Sequence, residues 1–162
     1  MSTRTGYSAL QILLHWLIAA LVAFQLIFGE SMGHVGRALA RGETPDPTDA
    51  ALASAHYWVG LSILGLVVIR LAVRLRQGTP APAPAPAWQV KAAKGMHHLF
   101  YLLLVLVPLT GLAAVYVTPE AGDIHELAKP AFLILIALHA AAALWHQFAL
   151  GDGTLMRMLK PR

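Results

Sequence analysis

The sequence has no cysteine among its 162 residues and little charge. Without cysteine the chain forms no disulfide, thiolate zinc site, iron–sulfur cluster or covalently attached c-type haem. Charged residues make up 12% and hydrophobic residues 57% of the chain, whereas a soluble domain has about 25% and about 45–50%. So few ionised groups cannot cover a water-facing globule. The composition therefore excludes an ordinary cytosolic enzyme and a disordered chain, and it indicates a membrane protein.

Four stretches are long and apolar enough to cross a bilayer, which takes about 20 largely apolar residues. They cover roughly residues 9–29, 50–73, 96–117 and 123–150. We therefore predict an all-α fold, an integral membrane bundle of four transmembrane helices that forms one domain over residues 1–162. A cleaved signal peptide is the alternative for the first stretch, but the apolar run is too long for one.

The connections between these stretches differ in character. Residues 30–49 are predicted to be a non-helical connection, because Pro45 and Pro47 stop any helix there. Proline alternates with alanine over residues 79–87. This pattern favours polyproline II at about 3.1 Å per residue and predicts a semi-rigid linker. Residues 118–129 form a short acidic connection.

Basic and acidic residues fall on opposite sides of the predicted bundle. Nine of the twelve Lys and Arg residues lie on one side, and they are Arg4, Arg70, Arg74, Arg76, Lys91, Lys94, Arg157, Lys160 and Arg162. The other side has three basic residues and seven of the eight carboxylates. Because basic loops stay cytoplasmic, both termini are predicted inside. The positive net charge of +4 then reflects membrane topology, and no nucleic-acid partner is expected.

The sequence contains eight histidines, and most of them lie within the predicted spans. Those in or at the ends of spans are His15, His56, His97, His98, His125, His139 and His146. An ionisable side chain inside a bilayer is costly and is a functional candidate by default. One such histidine is ordinarily a hydrogen-bond partner between helices, but histidines distributed over all four spans favour a ligand role.

Helix geometry sorts these histidines into two pairs. At 1.5 Å and about 100° per residue, His125 and His139 are about 21 Å apart along one helix and about 40° apart around it. His56 is level with His125 near the outer surface, and we call these two the outer pair. His15 reaches the depth of His139, and we call these two the inner pair. His146 competes with His139, but pairing it with His15 would separate the two centres by about 31 Å.

Two neutral imidazoles with no further ligand suit the axial positions of haem b. Zinc would require a third or fourth ligand. A metalloprotease motif fails, because Lys129 stands where the second histidine of H-E-x-x-H must be. Ala19, Gly60 and Ala143 follow three of the histidines by one turn and leave room for a flat macrocycle. Simple helix packing and ion transport by haem-free histidines remain alternatives.

Several segments then resemble the prokaryotic cytochrome b561 family, a group of four-helix di-haem proteins of the bacterial inner membrane. The matching segments are LQILLHW at 10–16, His56 with Gly60 and VIRL at 68–71, HLFY at 98–101 with Pro108 and Gly111, LHAAAAL at 138–144 and DGTL at 152–155. The resemblance covers nearly the whole chain and is weakest over residues 30–49 and 79–90.

The resemblance implies that His15, His56, His125 and His139 bind two b haems, the same four histidines that helix geometry selects. It also implies electron transfer, in one branch from superoxide on the outer side to ubiquinone. Other branches are haem-bearing subunits that relay electrons for a partner dehydrogenase or a periplasmic protein. On this basis the chain is expected to be a multi-pass protein of the bacterial inner membrane.

Superoxide is an anion, so its docking site should be positively charged. Lys129, one turn after His125, is the candidate catalytic residue, unless it only pairs with Glu126 or a haem propionate. Five side chains near the inner interface are candidates for a quinone site, and they are Trp16, Arg70, His97, His98 and Tyr101. Each has a structural alternative, since Trp and Tyr line membrane interfaces and Arg70 can snorkel or pair with a propionate.

Overall fold

The computed structural model describes residues 6–161 and contains only helices and connections in that range. In chain order the helices are α1 (Ala9–Phe28), α2 (Glu30–Ala40), α3 (Pro47–Gln77), α4 (Ala87–Tyr116), α5 (Ala121–Glu126) and α6 (Ala128–Phe148), followed by a 3₁₀ turn at Met156–Met158. Arg4 and Arg162, which contribute to the predicted charge asymmetry, lie outside the described residues.

Four helical runs in the described range are long and apolar enough to cross a membrane. They are Ala9–Ala40, Pro47–Gln77, Ala87–Tyr116 and Ala121–Phe148. The first two runs contain the predicted spans 9–29 and 50–73, whereas the third and fourth end at Tyr116 and Phe148, one and two residues before the predicted ends. The prediction of an all-α protein with four membrane-spanning helices is confirmed.

Residues 30–40 are helical, so the prediction of a non-helical connection was wrong for this part of residues 30–49. Proline stops a helix only near its own position, and Pro45 and Pro47 leave the residues before 41 free. Ser31 and Ala38 lie seven residues apart on one face of α2 and are both buried. Helix α2 packs against α3, and this tertiary contact stabilises a segment that lacks a long apolar run.

Helices α3 and α4 both begin before the predicted spans. The carboxylate of Asp46 accepts hydrogen bonds from the backbone N–H groups of Thr48 and Asp49 at 2.8 and 3.2 Å, and Pro47 occupies the first helical position. These bonds cap α3, and they hold the pKa of Asp46 below its ordinary value. Helix α4 begins at Ala87, directly after the last proline of the linker.

The fourth run is broken at Leu127, three residues before Pro130. Pro130 is the third residue of α6, where its missing N–H has no intrahelical partner to lose. Continuing α5 into α6 without a break would set the proline ring against the carbonyl of Glu126, four residues earlier. The break therefore precedes the proline by one turn.

One core cluster joins three of the long helices. Its buried members are Ile18 and Val22 of α1, Ile63 and Val67 of α3, and Ala128 and Phe132 of α6. Partly buried residues of α4, including Phe100 and Leu104, pack against this cluster. In sequence, the cluster residues of α1 and α3 follow the histidines of those helices, and those of α6 lie between the two histidines of the fourth run. The same packing therefore supports both the inner pair and the outer pair.

The C-terminal segment folds back onto the start of α1 and the linker. The indole N–H of Trp16 donates to the carbonyl of Met158 at 2.7 Å, and Arg157 donates to the carbonyl of Ala81 at 2.8 Å. Gly151 and Gly153 have positive φ of 65° and 71°, which only glycine adopts readily. These two glycines make the turn that returns the chain to the bundle.

Candidate functional site

The structure brings together the histidines of both predicted pairs. In the inner pair the ring centroids of His15 and His139 are 6.3 Å apart. In the outer pair the centroids of His56 and His125 are 5.9 Å apart. The inner pair joins α1 to α6, whereas the outer pair joins α3 to α5.

These separations suit one metal ion between two imidazoles. An imidazole nitrogen binds a transition metal at about 2.0 Å, and about 1.2 Å from each nitrogen to its ring centre gives about 6.4 Å between centroids. Within residues 6–161, no group of three or more His, Asp or Glu side chains is placed to share a metal ion. The donor sets are therefore pairs of imidazoles, which fit axial haem ligation better than a zinc site with three or four ligands.

The ring of His125 is fixed by α4. Its Nδ1 donates to the carbonyl of Val107 at 2.9 Å and lies 3.4 Å from the hydroxyl of Thr110. A Cβ added at Gly111 would lie 3.1 Å from Cε1 of His125, so this glycine lets the ring approach the helix. Because Nδ1 holds the proton, Nε2 keeps the lone pair that a metal would use.

The ring of His56 packs against the end of α1. A Cβ added at Gly29 would lie 3.3 Å from Cε1 of His56. The side-chain amide of Gln25 donates to the main-chain carbonyl of His56 at 2.8 Å. Gly60 was predicted to leave room for a macrocycle, but a Cβ there would meet Nε2 of Gln25 at 3.2 Å. The group that requires the absence of a side chain at Gly60 in this structure is therefore Gln25.

The inner pair lies in an aromatic surrounding. The ring of His139 is 5.6 Å from His97 and 5.5 Å from Phe100, both on α4. The ring of His15 is 5.3 Å from Trp16 in an edge-on arrangement. Flat, apolar neighbours of this kind are the environment that a macrocycle requires.

Arg70 reaches the inner pair from α3. Its guanidinium donates to the carbonyl of Gln11 at 2.8 Å and lies 3.4 Å from Nδ1 of His15. A ligating Nε2 would leave the proton of His15 on Nδ1, which then cannot accept from Arg70. With a metal bound, the second guanidinium nitrogen of Arg70 is thus available to another acceptor.

The other predicted residues are placed as follows. His98 lies exposed on α4, and the contact with His139 comes from its neighbour His97. The ammonium of Lys129 pairs with the carboxylate of Glu30, whereas Glu126 or a propionate was the expected partner. His146, the competitor of His139, donates from Nδ1 to Asp152 at 2.5 Å, and the partner of His15 is His139.

The contact with His146 also ties down the C-terminal segment. Burial raises the pKa of the Asp152 carboxyl, but hydrogen bonds from His146 and Thr154 outweigh burial and hold the pKa below its ordinary value. A lowered pKa means that the ionised carboxylate is favoured in the folded chain. Asp152 therefore favours the docked segment at neutral pH, and this contribution is lost as the pH falls through its lowered pKa.

A small cavity opens beside the inner pair at the ends of α1 and α3. Its lining is polar and cationic, and it consists of Tyr7, Gln11, Arg70, Arg74, Thr79 and Tyr101. The guanidinium of Arg74 lies 5.8 Å from the centre of the Tyr101 ring. Of the predicted quinone-site residues, Arg70 and Tyr101 line this cavity, while Trp16 and His97 contact the histidines instead.

Several residues that hold the histidines were not identified from the sequence as functional. They are Gln25, Gly29, Val107, Thr110 and Gly111. A glutamine within an apolar span is the one signal that points to such a role, because a buried amide must find partners. The carbonyl of Val107 carries no signal in the sequence at all.

A four-helix membrane bundle with two imidazole pairs has the architecture of a membrane cytochrome. Comparison with known proteins gives the particular family. The sequence profile of prokaryotic cytochrome b561 matches residues 6–161. The chain belongs to the prokaryotic cytochrome b561 family, and it is a multi-pass membrane protein of electron transfer.

Three relatives cover nearly the full length. The chain is 39% identical to cytochrome b562 of Cereibacter sphaeroides over the whole of both proteins. It is 31% identical to cytochrome b561 homolog 1 of Escherichia coli, over 96% of this chain and 98% of that protein. It is also 31% identical to the probable superoxide oxidase CybB of Yersinia pestis, over 94% of this chain and 95% of that protein. The family binds haem b, and the imidazole pairs described above fit that group.

Proposed function

We propose that this cytochrome binds two b haems and carries electrons across the bacterial inner membrane, from superoxide on the outer side to ubiquinone. His56 and His125 would hold one haem, and His15 and His139 the other. The observation that carries the haem-binding part of this proposal is the pair of imidazole–imidazole separations, 5.9 and 6.3 Å. Haem b would supply one-electron redox chemistry at each centre.

The chain's own residues orient the ligands and exclude water. The hydrogen bond from His125 to Val107 fixes both the tautomer and the direction of the ring. Phe100 and the core cluster close the space around the inner pair. Fixed ligands in an apolar surrounding reduce the rearrangement that accompanies a change of charge, and rapid electron transfer requires this.

On the outer side, the basic residues are Lys129, Arg37 and Arg41, and each lies near an acidic or polar partner. Lys129 pairs with Glu30, and Arg41 pairs with Glu43 at 2.7 Å. We assign Lys129 to the attraction of superoxide, because it lies one turn after His125 on the same run. Support for this substrate comes from the name of the Yersinia pestis relative.

On the inner side, the polar cavity beside Arg70 and Tyr101 is the candidate quinone site. The guanidinium of Arg70 can donate hydrogen bonds to quinone oxygens, and the phenol of Tyr101 can donate a hydrogen bond and relay a proton at the membrane interface. His97 lies between this region and His139, which makes it a better candidate than His98 for contact with a quinone near the inner pair.

A second function is a haem-bearing relay for a partner dehydrogenase or a periplasmic protein. The ion pair of Lys129 with Glu30 favours it, because the cation one turn after His125 is already neutralised. Seven carboxylates on the outer side also repel superoxide and would attract a basic protein partner instead.

The two functions are separated by exposing the purified cytochrome to enzymatically generated superoxide. Superoxide oxidation predicts reduction of the haem absorption bands, its loss when superoxide dismutase is added, and onward reduction of a soluble ubiquinone analogue. If dithionite reduces the haems but superoxide does not, the superoxide function is wrong and the relay function is supported.

A further inference from the structure

Gln25 is a half-buried polar side chain within the first membrane span. It lies on α1 between apolar residues and beside α3, ten residues after His15 and three residues before the helix ends at Phe28. Its amide N–H donates to the carbonyl of His56 at 2.8 Å, but its oxygen Oε1 is buried without a hydrogen-bond partner among the described residues. A buried amide oxygen without a hydrogen-bond partner destabilises the fold, so we expect Oε1 of Gln25 to have a partner in the haem-loaded protein.

The Nδ1 atom of His56 is likewise buried and without a partner in the described part of the chain. A histidine that binds a metal through Nε2 carries its proton on Nδ1, and that proton ordinarily has an acceptor. The opposite ligand, His125, has one in the carbonyl of Val107. The Nδ1 of His56 has no such acceptor. Gln25, whose amide N–H binds the main-chain carbonyl of His56, has an unused acceptor in its Oε1.

We propose that Gln25 is the positioning residue of His56. Its amide N–H anchors the main chain of α3 at the ligand, and its Oε1 accepts the Nδ1 proton when His56 binds haem, through a small rotation or one bridging water. The inference rests on the proposed role of His56 and His125 as ligands. It assigns to Gln25 a tuning of the outer haem.

Two glycines make this arrangement possible. Gly60 leaves space for Gln25, since a Cβ there would lie 3.2 Å from Nε2. Gly29 leaves space for the imidazole, since a Cβ there would lie 3.3 and 3.4 Å from Cε1 and Nδ1 of His56. An alanine at position 60 would therefore move Gln25 without touching either ligand.

The test is the replacement Gln25→Leu in the haem-loaded protein, followed by a spectroscopic redox titration of both haems. An acceptor on Nδ1 makes the imidazole a stronger donor and favours oxidised iron. Its removal should raise the midpoint potential of the outer haem by about a tenfold change in equilibrium constant, about 59 mV for one electron. The inner haem should keep its potential, and His56→Ala identifies which transition belongs to the outer haem.

Gln147→Leu is the matched control. It makes the same chemical change at another glutamine whose Oε1 is buried without a partner, but on α6 and away from the outer pair. Gly60→Ala is a second test variant that leaves Gln25 in place, and Gly65→Ala is its control, because no atom lies within 4 Å of a Cβ at Gly65.

A rise in midpoint potential that is confined to the outer haem in Gln25→Leu, with a smaller rise in Gly60→Ala, supports the inference. Unchanged potentials in a protein that keeps two haems would overturn it, and so would equal shifts of both haems. If Gln25→Leu does not fold, the comparison of Gly60→Ala with Gly65→Ala decides. A wild-type protein without haem would instead contradict the proposed ligands themselves, which is a separate result.

Discussion

Glycines beside the outer pair allow its imidazole rings to pack closely against neighbouring helices, and they position the rings together with the hydrogen bonds. Gly111 is the clearest case, because its missing side chain is the space in which the ring of His125 lies. Such contacts show that an imidazole ring is positioned by the absence of a neighbouring side chain as well as by its hydrogen bonds. They also explain why a small residue far from the ligand in sequence belongs to the site.

Replacing Gly111 with alanine should displace His125 and weaken the outer haem. The added Cβ would lie 3.1 Å from Cε1 and 3.2 Å from Nδ1 of the ring, and such overpacking costs about 1–3 kcal/mol. Haem content should fall from two toward one per chain. Gly122→Ala is the control, since its nearest neighbour, Cβ of Ala114, would be at an ordinary 3.8 Å. Equal haem content in both variants would show that Gly111 has no such role.

The charges of Lys129 and Glu30 give opposite expectations for superoxide. One unit charge about 10 Å from an approaching anion changes its encounter rate about twofold in water of low salt. Lys129→Gln should therefore lower the rate of haem reduction by superoxide, and Glu30→Gln should raise it. Both effects should shrink as salt is added. Lys94→Gln, on the opposite side of the bundle, serves as the control. If Lys129→Gln and Glu30→Gln leave the rate of haem reduction the same as the control does, Lys129 has no role in attracting superoxide.

The helices could be predicted from the sequence where hydropathy alone decides them. All four spans and the placement of four histidines at two depths follow from apolar length and helical period. Helix α2 could not be predicted, because contact with α3 rather than apolar length stabilises residues 30–40. The break at Leu127 has a signature in Pro130, although its exact position depends on the backbone four residues before the proline. The acceptor for His125 is a main-chain carbonyl, which has no signature in the side-chain pattern.

The C-terminal segment is attached to the bundle by a few polar contacts, so single substitutions should release it. Trp16→Phe keeps the aromatic ring beside His15 but removes the 2.7 Å hydrogen bond to Met158. A net loss of about 1 kcal/mol corresponds to about fivefold more frequent local opening. Hydrogen exchange of the amides of residues 157–160 should accelerate accordingly. Trp145→Phe, at an exposed indole on α6, should leave that exchange unchanged, and the same rate in both variants would contradict the attachment.

The bundle as a whole has an orientation that its charges predict. The start of α1, the end of α3 and the C-terminal segment meet at one end, through bonds such as Gln11 to Gly78 at 2.9 Å. Seven basic residues of the described range belong to the segments predicted on that side, so both termini are expected in the cytoplasm.

Cysteine labelling tests this orientation without background, because the chain has no cysteine of its own. An impermeant maleimide applied to cells with a permeable outer membrane should label Thr44→Cys in the connection before α3. It should label Ala87→Cys, at the start of α4, only after the inner membrane is opened. The reverse pattern would place the termini outside and exchange the sides assigned to donor and acceptor.

Two bis-histidine haems are the basis of every functional assignment made above, and the visible spectrum of the purified protein tests them most directly. The dithionite-reduced minus oxidised spectrum, with haem counted per chain, should show two b haems with sharp low-spin bands. His139→Ala should retain one haem, whereas His146→Ala should retain both. A wild-type protein with one haem or none, or the loss of haem in His146→Ala instead of His139→Ala, would contradict the assigned pairs.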